Sequence, residues 1–133
     1  MSRRNAREFA MQVLYSKDLN PETESIEAES FPVTPQDISF SRALVQAETE
    51  HEDEIDRLIT RHLKHWSIEE LNVVDKSILR MSVAEALFLE NPSDGGIVIN
   101  EAVELARKYG GENSYRFING ILDSLLTKSV RDK

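Results

Sequence analysis

The sequence contains no cysteine. That excludes disulfide frameworks, cysteine-ligated zinc, iron–sulfur clusters and thiol nucleophiles. It has no run approaching the roughly 20 apolar residues that a membrane-spanning helix needs, so no transmembrane helix is expected. The opening Met1-Ser2-Arg3-Arg4-Asn5 lacks the apolar stretch of a signal peptide, and a cytoplasmic location is the expectation. Glycine and proline are scarce, 5 and 4 residues of 133, which argues against a turn-rich β fold and against low complexity. There is no Gly-x-Ser-x-Gly elbow and no glycine-rich phosphate loop. No enzyme and no cofactor are read in this chain.

What is present is helical periodicity, nearly throughout, and an uneven charge. At this length one domain over residues 1–133 is expected, large enough to bury a core. The net charge is −8. Residues 1–17 carry +3, residues 18–56 carry −11, and the remainder balances. An acidic total argues against a nucleic-acid partner. Because the excess acid is confined to one segment, and charges act over about 8 Å at physiological salt, a local basic site survives that objection.

The pattern predicts six to seven helices and an all-α fold. Ser2 can cap a first helix over about 3–17, with Ala6, Phe9, Ala10, Val13 and Leu14 on the buried stripe. Residues 18–36, with Pro21, Pro32, Pro35 and four glutamates, read as an acidic loop. Further helices start near Asp37 and Glu52. Ser67 with Glu70, and Asn72 with Asp75, are cap signals ahead of a long central helix over about 73–90. A fifth helix spans about 98–109 and ends at Gly110-Gly111, where a left-handed C′ residue is expected. A last helix runs from Asn113 or Ser114 to about Lys128. Gly120 inside it costs about 1 kcal/mol relative to alanine and suggests close approach by another backbone or a ligand.

Metal ligation is weak on inspection. Glu48 and His51 form a single Glu-x-x-His where helical di-iron sites use two, and His62 with His65 lacks a third ligand, so no metal site is expected. The basic first helix is more suggestive. Arg3, Arg4 and Arg7 fall on or beside its solvent face and oppose the helix dipole, which invites an external anion. The segment from Gly110 to Gly120 sets Arg116 among Tyr115, Phe117 and Asn119. Cations beside rings are what unpaired RNA requires, although Phe117 could equally be a core residue.

Several runs together resemble the NusB family of bacterial transcription antitermination factors. They are Arg3 to Tyr15, Glu54 to Ile59, Trp66-Ser67, Val74 to Met81 with Glu85-Ala86-Leu87, Ile99 to Gly110, and Ser114 with Phe117 to Asp123. The resemblance implies two small helical bundles packed at a steep angle. It implies binding of boxA RNA, a single-stranded element of nascent ribosomal transcripts, together with NusE, and association with the RNA polymerase elongation complex. By the same resemblance Arg3, Arg4, Arg7 and Tyr15, with Asn113, Arg116, Phe117 and Asn119, are the RNA-facing residues. Glu69, Asp75, Lys76 and Arg80 are the candidates for NusE. A protein-interaction module that docks a partner or forms a homodimer is the alternative reading.

Overall fold

The computed structural model describes residues 3–19 and 35–127. Among them are six α-helices: α1 (Arg4–Leu19), α2 (Pro35–Glu50), α3 (Glu52–Thr60), α4 (Val73–Leu87), α5 (Gly95–Tyr109) and α6 (Ser114–Leu122). A 3₁₀ turn, Ile68–Glu70, precedes α4, and a π-helical turn, Asp123–Thr127, follows α6. The all-α expectation holds.

The helix limits follow from local chemistry. Asn72 caps α4 by accepting the Asp75 N–H at 2.8 Å, as its spacing predicted. Ser67 and Glu70 do form a reciprocal pair, the Ser67 N–H donating to Glu70 at 2.8 Å, but it organises only the short 3₁₀ turn. Helix α5 starts three residues earlier than expected because Asp94 accepts the Gly96 N–H at 3.0 Å and recruits the glycines into the first turn. Helix α4 ends at Leu87 rather than near residue 90. The expected loop bounds of 18–36 fail at both ends: Asp18 and Leu19 continue α1, and Pro35 opens α2 at the position where a missing N–H does no harm. The remainder of that loop, and Lys128 at the expected end of the last helix, lie outside the described residues.

Gly110 is needed for a different reason than expected. Its φ of −87° is not left-handed. A Cβ there would lie 2.6 Å from that of Ser114 and 2.7 Å from the Ala106 carbonyl, so glycine permits the tight turn between α5 and α6.

Every other α-helix packs on α4. Helices α1 and α2 pair with each other and with α4, and α5 and α6 do likewise. Ile78, Leu79, Met81, Val83 and Ala84 of α4 are fully enclosed and join Met11, Leu44, Ile55, Ile59, Ile118 and Leu122 in one apolar cluster. Helix α4 also buries Ser77, Ser82 and Glu85.

That last carboxylate overturns part of the sequence reading. Arg7, expected on the solvent face of α1, is 6% exposed, and Glu85 is 1% exposed. The guanidinium meets Glu85 through two parallel bonds, Nε to Oε1 at 2.8 Å and Nη2 to Oε2 at 2.6 Å. Arg4 makes a second fork to Glu101 of α5, at 3.0 and 2.9 Å. The anions that answer the arginines at the start of α1 are thus internal. Replacing Arg7 by alanine leaves Glu85 buried and uncompensated, and unfolding in urea is expected to show a loss of about 3–5 kcal/mol. The double variant Arg7→Met with Glu85→Met recovers most of it. An Arg7→Ala protein as stable as the parent would contradict the tie.

Candidate nucleic-acid interface

At the N-terminal end of α1 the exposed Arg3 lies with its guanidinium carbon 4.1 Å from the centre of the Phe40 ring. Arg4 is exposed but forked onto Glu101, whose carboxyl is held below its ordinary range chiefly by that hydrogen bond. Arg7 is enclosed. Of the three arginines expected to meet phosphate, one is thus buried and one already carries a carboxylate.

Helix α1 is linked to the C-terminal end of α5 through Tyr109. The Tyr109 hydroxyl donates to Glu8 and accepts from Gln12 Nε2 at 3.2 Å, while Lys108 Nζ reaches Glu8 at 3.0 Å. Tyr15, half-buried, stands three residues past Gln12, on a neighbouring position of the same helix. This holds the edge of α1 against the C-terminal end of α5. No signal in the sequence pointed to Tyr109, because its partners lie about a hundred residues away.

The strip expected at 113–119 wraps around α6 instead of lying on one face. Tyr115, Arg116, Asn119 and Gly120 line a groove with Arg107, Asn100, Ile99 and Val103 of α5. There Tyr115 sits between two arginines. The guanidinium carbon of Arg107 is 4.4 Å from the ring centre and that of Arg116 is 5.6 Å away, with Arg116 Nε donating to the Tyr115 hydroxyl at 3.0 Å. Asn113 and Phe117 face the opposite side, toward Trp66 and Asn72. Phe117 is half-buried against the core, so both readings of it apply in part. None of the described residues lining the α5–α6 groove is acidic. The local basic surface therefore belongs to α5 and α6 more than to α1.

The four partner candidates divide as well. Glu69 is exposed. Asp75 is buried, with Oδ2 accepting from Asn72 at 3.1 Å and Oδ1 without a partner among the described residues. Lys76 and Arg80 are engaged within the chain. Lys76 Nζ reaches Asp18 at 3.1 Å; Arg80 reaches Asp18 at 3.1 Å and forks onto Asp56 at 2.8 and 2.8 Å. Asp18 and Asp56, read from the sequence only as members of acidic segments, therefore tie α1 and α3 to α4.

Behind Arg80, Glu48 is 3% exposed and its Oε2 has no hydrogen-bond partner among the described residues. Burial, reinforced by Glu52 and opposed by Arg80, pushes its carboxyl up to about 8. His51, the other half of the single Glu-x-x-His, stacks on Phe88, ring centres 4.5 Å apart. Among the described residues no group of three or more His, Asp or Glu is placed to hold a metal ion. No helix among them is long and apolar enough to cross a membrane.

An all-helical fold with arginines stacked on a tyrosine, in a groove with no acid among its described lining residues, has the surface chemistry of a helical nucleic-acid-binding protein. The NusB family model matches residues 4–127. The transcription antitermination protein NusB of Finegoldia magna is 40% identical over 132 residues, 96% of each chain, and that of Geobacter sulfurreducens is 44% identical over 129 residues, 93% of each. Among solved structures, NusB of T. maritima superposes with a TM-score of 0.86 at 31% identity, covering 96% of this chain and 92% of its own. NusB in a complex of antitermination factors NusB and NusE with double-stranded RNA gives 0.83 at 32% identity, covering 95% and 96%. This chain belongs to the NusB family.

The raised Glu48 carboxyl has a thermodynamic consequence. Between the ordinary glutamate value and about 8 the folded chain holds a proton that the unfolded chain has released. Stability should therefore fall as pH rises through that window. Thermal unfolding followed from about pH 5 to about pH 9 should show this decline, and Glu48→Gln should flatten it. An undiminished slope in the glutamine variant would contradict the assignment.

Proposed function

We propose that this chain is a transcription antitermination factor that binds a boxA-type single-stranded segment of nascent RNA together with NusE and joins the elongating RNA polymerase. The observation that carries the reading is the α5–α6 groove, where Arg107 and Arg116 flank Tyr115 beside Asn100 and Asn119 without a carboxylate among its described lining residues. Guanidinium groups there anchor phosphates, while the ring and the amides hold unpaired bases. Arg3 over Phe40 adds a second cation–ring pair at the head of α1.

NusE docks at the N-terminal approach to α4. The cavity there is lined by Trp66, Glu70, Asn72, Asp75 and Asn113. The role is one of binding without a chemical step.

The test is a titration of boxA-like RNA and of a scrambled RNA, with and without NusE, over a range of salt. Affinity for the boxA-like RNA should exceed that for the scramble and rise with NusE. Its logarithm should fall with the logarithm of salt by about 0.7 per phosphate contact. Arg107→Ala and Arg116→Ala should each reduce that slope by about 0.7 if each holds one phosphate. A slope unchanged in both variants, or equal affinity for the scramble, would overturn the reading.

A further inference from the structure

Gly120 is a glycine inside α6 that packing does not require. A Cβ built there meets nothing within 4 Å, so no neighbouring backbone requires glycine, yet glycine weakens a helix. Its position is informative. Gly120 and Arg116 line both the α5–α6 groove and a second cavity on the other side of α6.

That second cavity, about 430 Å³, falls in the size range of small-ligand sites. Its walls include Leu63, Lys64, His65, Trp66, Phe117 and Ile121. Again no carboxylate is among the described residues lining it, in a chain of net charge −8. Trp66 is 55% exposed, one of the largest apolar surfaces the described residues leave to solvent. An exposed indole beside Lys64 and Arg116 matches a base with its phosphate. The cavity on the opposite side of Trp66, lined by Glu70 and Asp75, has the contrary charge.

We propose that the RNA strand crosses α6 at Gly120, passing from the Arg107–Tyr115–Arg116 groove into the second cavity, where a base stacks on Trp66. The bare backbone of Gly120 leaves the ridge between the two grooves low enough for the strand to pass over. This rests on the RNA-binding reading and extends it to residues outside the expected 113–119 strip.

Trp66 is the single tryptophan of the chain, so its fluorescence reports on the surroundings of this one residue. The intact protein is titrated with a labelled boxA-like single-stranded RNA carrying flanking nucleotides, and anisotropy of the label and indole emission are read together. Saturable quenching of Trp66 with the same midpoint as the anisotropy is expected. Trp66→Ala should weaken binding roughly 5- to 100-fold and Trp66→Phe less, with melting of either variant near the parent's. Gly120→Ala should raise the melting temperature, since a methyl group has room there, while weakening RNA binding. A purely structural role would not separate those two readouts. RNA that binds by anisotropy without quenching, and with equal affinity for the Trp66→Ala and Gly120→Ala proteins, overturns the crossing and leaves the groove reading intact. Absence of RNA binding in the parent overturns both. Quenching by NusE alone, with Trp66→Ala weakening NusE and not RNA, would assign the cavity to protein docking and likewise overturn the proposal.

Discussion

The fork between Arg7 and Glu85 fixes where the rest of the molecule can put its charge. It places a guanidinium and a carboxylate in the interior, where either one alone would be strongly unfavourable, and so pins the first turns of α1 to the last turn of α4. Arg4 with Glu101 then fastens the same turns to α5, and Glu8 with Lys108 and Tyr109 continues the seam toward the start of α6. At the other end of α1, Asp18 holds Lys76 and Arg80. The contact between α1 and its neighbours is thus stitched by ions along its length, with the apolar stripe from Ala6 to Leu14 beneath.

This stitching changes how a chain of negative net charge presents cations. Most of the arginines that looked available are joined to specific acids, and those acids are thereby withdrawn from the field that a polyanion would feel. What stands outward on α5 and α6 is a small set of cations whose nearest notable neighbour is an aromatic ring. The carboxylates Glu48, Glu52 and Asp56 gather around Arg80, in the cluster joining α1, α2, α3 and α4. Separation of charge by helix packing, with no change in composition, reconciles an acidic protein with the proposed RNA partner.

Much of the architecture was legible beforehand. The 3.6-residue apolar stripes located the helices, the Asn72 cap was readable from a polar side chain three residues ahead of its partner, and α4 was recognisable as central from its wide apolar arc. Those are local properties. The site was less legible because its decisive contacts are not local: Arg7 and Glu85 are 78 residues apart in the chain, Arg4 and Glu101 are 97 apart, and nothing in either neighbourhood announces the other. The dipole penalty at the head of α1 was correctly noticed, but its remedy was sought outside the molecule. Gly110 was rightly marked as structurally required for a reason that proved steric, not conformational. Gly120 was marked as anomalous, and it remains so within the chain. Trp66 entered only as part of a run that resembles the family, since exposure cannot be read from one residue's identity.

Backbone amide shifts of the isotope-labelled protein, followed by NMR during addition of a single-stranded boxA-like RNA, test the central claim most directly. The account predicts that the largest changes fall on α5 and α6, at Arg107, Tyr115, Arg116 and Gly120, while Arg7 and Glu85 stay near their free positions. Changes concentrated around Glu48, Glu52 and Asp56, with α6 unmoved, would contradict it.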